Sequence, residues 1–87
     1  MVYVDNMRGC VPTTAWKYKQ SCHLIADTLT ELHSFAKRLG LKREWFQDKI
    51  LPHYDLTCKK RRLAIRFGAI EIDREQFIKK VRARRLK

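Results

Sequence analysis

Three helix-capping signals, set between short apolar runs, most restrict how this chain can fold. Thr28 stands three residues before Glu31. That is the spacing of a capping box, in which an N-cap hydroxyl and an N3 acid satisfy each other's backbone donors. Leu29, Leu32, Phe35, Ala36 and Leu39 then form one apolar helical face. Gly40 stops this helix, with Leu41 placed for the hydrophobic contact of a Schellman cap. Thr57 opens a second helix, from about Cys58 to Phe67, which ends at Gly68 and turns Leu63, Ala64 and Phe67 inward. Asp73 and Gln76 open a third, with Phe77, Ile78 and Val81 inside.

Between the helices lie runs that read as strands: "VYV" at 2–4, "CHLIA" at 22–26, "HYDL" at 53–56 and "AIEI" at 69–72. "KREWFQDKI" reads as a further short helix presenting Trp45 and Phe46 to the core, broken by Pro52. Such alternation predicts one small α/β domain over residues 1–87, with a mostly parallel sheet of three to four strands packed with helices. Residues 6–20 contain Gly9 and Pro12 and show no periodicity. An irregular connection of this length in a small domain is usually functional. Its end, Trp16, Lys17, Tyr18 and Lys19, alternates aromatic and basic side chains, a pattern able to stack a base and hold a phosphate.

Charge is the dominant compositional fact. The net charge is +11, and residues 59–87 hold twelve Lys and Arg against Glu71, Asp73 and Glu75. A basic half on a compact domain points to a polyanion, either nucleic acid or the acidic face of another protein. The phosphate contacts would come from Lys59, Lys60, Arg61, Arg62, Arg66, Lys79, Lys80, Arg82, Arg84 and Arg85. No apolar run approaches the roughly 20 residues a membrane span requires, and none ends in a small-residue cleavage site, so a soluble cytoplasmic protein is expected. Cys10, Cys22 and Cys58 make an odd count without CxxC spacing, which argues for reduced thiols, Cys22 and Cys58 as small buried hydrophobes.

The chemistry-bearing residues gather at strand ends. Asp5 ends the first strand, Asp27 follows the second, and Asp55 lies in or just after the third. In a parallel sheet these carboxylates would converge at one crevice, with His23 and His53 beside them. Clustered carboxylates call for a cation or an Arg or Lys partner. Asp5, Asp27 and Asp55 are therefore candidate ligands for Mg²⁺ or Mn²⁺, and participation by imidazole would shift the choice toward Mn²⁺, Zn²⁺ or Ni²⁺. His23 or His53 would serve as general base or acid. The plainer alternative makes Asp27 and Asp55 helix caps and His23 a hydrogen-bonded core residue.

"VYVDN", "CHLIADTLTELHSFAKRLGLKREWFQ" and "PHYDLTCKKRRLAIRFGAIEI" together resemble a family of short bacterial and bacteriophage proteins catalogued as a domain of unknown function. The resemblance covers nearly the whole chain and implies a bacterial or phage protein whose recurring polar residues are Asp5, His23, Asp27, His53, Tyr54 and Asp55. Many members carry a cysteine- and histidine-containing insert between the WFQ and HYD elements; here only "DKILP" joins them.

Three functions follow as expectations. The first is a nucleic-acid-binding module with weak sequence specificity. The second is a metal-assisted phosphodiesterase, nuclease or nucleotide hydrolase. The third is a non-enzymatic phage effector that binds a host protein. If the basic half holds nucleic acid, oligonucleotide affinity should fall steeply between about 50 and 200 mM salt, whatever the sequence. Filter binding or anisotropy across that range checks it, and no binding at low salt would favour a protein partner.

Overall fold

The computed structural model describes residues 1–9, 20–48 and 51–85. Strands run over Val2–Val4 (β1), Arg8–Gly9 (β2), Gln20–Ala26 (β3), Gln47–Asp48 (β4), Pro52–Leu56 (β5) and Ile70–Glu71 (β6). Helices run over Leu29–Arg38 (α1), Cys58–Arg66 (α2) and Arg74–Arg85 (α3), with a 3-10 turn at Arg43–Trp45.

The capping signals act as their chemistry requires. Thr28 Oγ1 accepts from the Glu31 amide at 3.2 Å, and Thr57 Oγ1 from the Lys60 amide at 3.2 Å. Asp73 and Gln76 satisfy each other's amides at 2.8 and 3.0 Å. Gly40 and Gly68 take positive φ, +80° and +105°, and the residue after each donates back to Ala36 and Ala64, respectively. These are Schellman terminations, which need a residue free of Cβ strain.

The sheet is mostly antiparallel, which corrects the parallel expectation. Its order is β4-β5-β3-β1-β6, with β2 also paired to β3. Among the described strands only the β1–β6 pair is parallel; β3 is antiparallel to β1, β2 and β5, and β4 is antiparallel to β5. For β5 the physical reason is the two-residue strand β4, which lies within the stretch expected to be helical. Helical crossovers do join parallel strands here, β3 to β4 through α1 and β5 to β6 through α2. The turn from β4 into β5 then reverses the chain and inserts β5 between β4 and β3.

Alternation along β3 and β5 sorts two faces. Val4, Cys22, Leu24, Tyr54 and Leu56 meet Leu32, Phe35, Ala36 and Leu39 of the first helical segment and Ala64 of α2 to form the core. Each fully buried aliphatic side chain contributes roughly 1.5–3 kcal/mol. On the opposite face α3 lays Phe77 against His23, with ring centroids 5.1 Å apart, and sets Lys80 Nζ 3.7 Å from the centre of the Tyr3 ring. Several expected core residues are peripheral. Trp45 is 49% exposed, while Leu29, Phe67 and Ile78 are also exposed and Leu63 only partly buried. Cys22 is buried and Cys58 exposed. No described helix is long and apolar enough to cross a membrane.

One core contact is titratable. The buried Tyr54 hydroxyl and His33 Nδ1 share a hydrogen bond at 2.8 Å. Burial, and secondarily the Arg43 charge, hold His33 below the ordinary histidine value of 6.5. The folded protein keeps this ring neutral where the unfolded chain begins to take up a proton. Its contribution to stability is complete above that value and is lost as pH falls through it toward the lower folded pKa. His33→Gln, whose amide can still donate to or accept from Tyr54, should show a shallower loss of melting temperature between about pH 7 and pH 5. Thermal unfolding across that range checks the slope.

Candidate metal centre

Register brings the candidate residues onto the α3-covered face. His23 of β3 lies directly across from Asp55 of β5, and His53 across from Gln47 of β4. Directly opposed residues share a face, so these four side chains form one cluster. The two imidazoles meet edge to face, with centroids 4.8 Å apart. One ligand atom from each of His23, His53 and Asp55 lies within 4.8 Å of the other two. Tyr54, between His53 and Asp55, points to the core, as strand alternation requires.

Hydrogen bonds behind these side chains set which atoms face the centre. His23 Nδ1 is 2.8 Å from Asp5 Oδ2, and a carboxylate oxygen can only accept, so Nδ1 carries the proton. His53 Nδ1 is 2.8 Å from the Leu51 carbonyl, so it too is the donor. In that tautomer each ring has Nε2, not Nδ1, as the nitrogen whose lone pair can serve a ligand. Gln47 donates its side-chain amide to Asp55 Oδ2, while Asp55 Oδ1 lies 3.6 Å from His53 Nε2. Outer hydrogen bonds of this kind orient metal ligands and fix their tautomers.

Asp5 is not itself positioned as a ligand. It is 1% exposed, and its two oxygens accept from the backbone amide and ring Nδ1 of His23. Arg61 Nε donates to its carbonyl at 2.8 Å, and an Arg8 nitrogen approaches Oδ2 at 3.9 Å. Asp27 stands apart, because β3 runs opposite to β1 and β5. It lies four residues beyond His23, roughly 13 Å along an extended strand. There it accepts from the Met1 amine and the Tyr3 hydroxyl, each at 3.1 Å, with Lys80 Nζ at 4.0 Å. The amine hydrogen bond chiefly holds its carboxyl below the ordinary carboxylate value. Asp55 caps no helix; Thr57 does.

Burial pushes the Cys22 thiol up to about 12, with Asp5 adding to the effect, so this cysteine stays protonated. Among the basic candidates, Lys59, Arg62, Arg66, Lys79 and Arg82 are exposed. Lys60 instead donates to the Leu39 carbonyl at the end of α1, Arg61 pairs with Glu71 at 3.2 Å, and Lys80 covers Tyr3. Arg84 and Arg85 end α3, and their side chains lie outside the described set. Trp16, Lys17, Tyr18 and Lys19 also lie outside the described residues. Sequence reasoning missed Gln47 and Phe77 as parts of the site. Only the pairing of β4 with β5 could have revealed Gln47, and two residues are too few to show alternation.

Asp5→Asn should act in two ways at once. Its amide oxygen can still accept from the His23 backbone, but its NH₂ would face Nδ1 and make that nitrogen an acceptor. Nε2 would then carry the proton and lose its capacity to ligate. The variant should lose about 1.5–3 kcal/mol of stability, as for a charge-assisted hydrogen bond. It should also bind a transition metal about 10–100-fold more weakly. Denaturant unfolding with and without Co²⁺ measures both.

No curated protein and no solved structure matches the chain. Residues 2–84 match a family described as "Protein of unknown function (DUF4031)". The match spans nearly the entire sequence, from β1 through the last turn of α3, and the chain belongs to this family.

Proposed function

We propose that this protein is a divalent-metal-dependent phosphodiesterase acting on nucleic acid. The reading is carried by one observation: His23, His53 and Asp55 offer three ligand atoms within 4.8 Å of one another. Hydrogen bonds from Asp5, Leu51 and Gln47 hold all three from behind. Two imidazole nitrogens and one carboxylate oxygen suit a borderline ion such as Mn²⁺, Fe²⁺, Co²⁺ or Zn²⁺ better than Mg²⁺. Three protein ligands leave positions open for water and a substrate oxygen.

When bound, such an ion lowers the pKa of water and offsets charge on a phosphoryl oxygen. The chain supplies orientation. Phe77 stacked on His23 fixes the plane of that ring, and Gln47 directs Asp55 Oδ1 toward His53. Hydrolysis would break a P–O bond, place the hydroxyl of water on phosphorus, and leave its proton on the departing oxygen. Exposed Lys59, Arg62 and Arg66 of α2, with Lys79 and Arg82 of α3, support a polyanionic substrate. These bases also support nucleic-acid binding without hydrolysis as the second reading.

Thermal unfolding with Mn²⁺, Co²⁺, Zn²⁺ or Mg²⁺ tests the centre. At a hundredfold excess over Kd, a bound ion should stabilise the fold by about 2.7 kcal/mol. Mg²⁺ should do least. His53→Ala should abolish both this response and the cleavage of a generic phosphodiester. Wild-type protein that gains no stability from any of these ions would sink the enzymatic reading and leave the binding one.

A further inference from the structure

Among the described residues, Trp45 is the most exposed large aromatic. It ends the 3-10 turn and is 49% exposed, while its neighbour Phe46 packs inward against His33 and Tyr54, with ring centroids 4.7 and 5.6 Å away. The turn beneath it is fixed: the Trp45 amide donates to Lys42 and the Phe46 amide to Arg43, at 3.0 and 3.1 Å. The exposed indole therefore stands on an anchored base.

Its surroundings are cationic. Lys42 Nζ lies 5.6 Å from the centre of the Trp45 ring, and the Arg43 guanidinium covers Phe46 at 4.9 Å. Lys42 and Arg43 are both exposed, against the single neighbouring acid Glu44. An aromatic face bordered by cations is complementary to a base and its flanking phosphates, because every base has a π-face and every linkage a charge. A duplex keeps its bases stacked on one another and offers no free face; a single strand does.

Position ties this surface to the metal centre. Two residues beyond Trp45 is Gln47, whose amide holds Asp55. Two residues of extended chain span at most about 7 Å. We infer that Trp45 is a stacking platform for an unpaired base, and that the polyanion this protein takes is single-stranded nucleic acid. The inference rests on the reading of the substrate as nucleic acid, and it needs no metal for binding.

Binding of a fluorescein-labelled oligo-dT 12-mer, followed by anisotropy in EDTA at low salt, tests it against a hairpin duplex of equal phosphate content. The expected result is tighter binding of the single strand. Trp45→Ala should weaken it on the order of tenfold, Trp45→Phe should largely restore it, and circular dichroism should be unchanged because the side chain is exposed. Duplex binding as tight as single-strand binding, or folded Trp45→Ala with undiminished affinity, overturns the inference and leaves the indole to a protein partner. The Co²⁺ absorption spectrum separates this from the catalytic reading. Trp45→Ala should leave that spectrum intact, whereas wild-type protein that binds oligonucleotide but no Co²⁺ loses only the phosphodiesterase.

Discussion

The contact between Asp5 and His23 is the one on which the rest of the site depends. A carboxylate that is 1% exposed must have its charge answered, and here both oxygens are occupied by donors of one residue. The backbone donor ties the end of β1 to the middle of β3. The ring donor fixes the imidazole's tautomer and aims Nε2 across the sheet at His53 and Asp55. Arg61 closes the arrangement from α2, since its Nε holds the Asp5 carbonyl while its outer nitrogen pairs with Glu71 of β6. One buried acid thereby links both layers of the domain to the orientation of a ligand atom.

A strand of two residues has the second largest influence. β4 comprises only Gln47 and Asp48, yet its pairing with β5 reverses the chain after the α1 crossover. That reversal explains why Asp55 arrives opposite His23, while the antiparallel pairing of β1 with β3 carries Asp27 to the other end of the sheet. It also supplies Gln47, which occupies one oxygen of Asp55 and leaves the other facing His53.

Charge in this protein has two uses that a count cannot separate. Lys60 donates to the C-terminal carbonyl of the α1 segment, where a cation opposes the helix dipole. Arg61 and Lys80 are likewise engaged within the fold. The bases that remain exposed, on α2, on α3 and around Trp45, are those available to a polyanion.

The sequence by itself determined the helices, their caps and much of the core. Thr28 with Glu31, Thr57, and Asp73 with Gln76 are local signals, satisfied within three residues, and Gly40 and Gly68 end helices through local backbone geometry. Leu32, Phe35 and Ala36 follow from periodicity on one such helix. His23, His53 and Asp55 were legible as candidates because they are titratable residues within apolar strands. Strand direction was decided only by the tertiary structure, since alternation looks the same read either way along a chain. It separated Asp27 from the site and turned Asp5 from a ligand into the residue behind one. It gave Gln47 a partner through a two-residue pairing too short to leave a periodic trace.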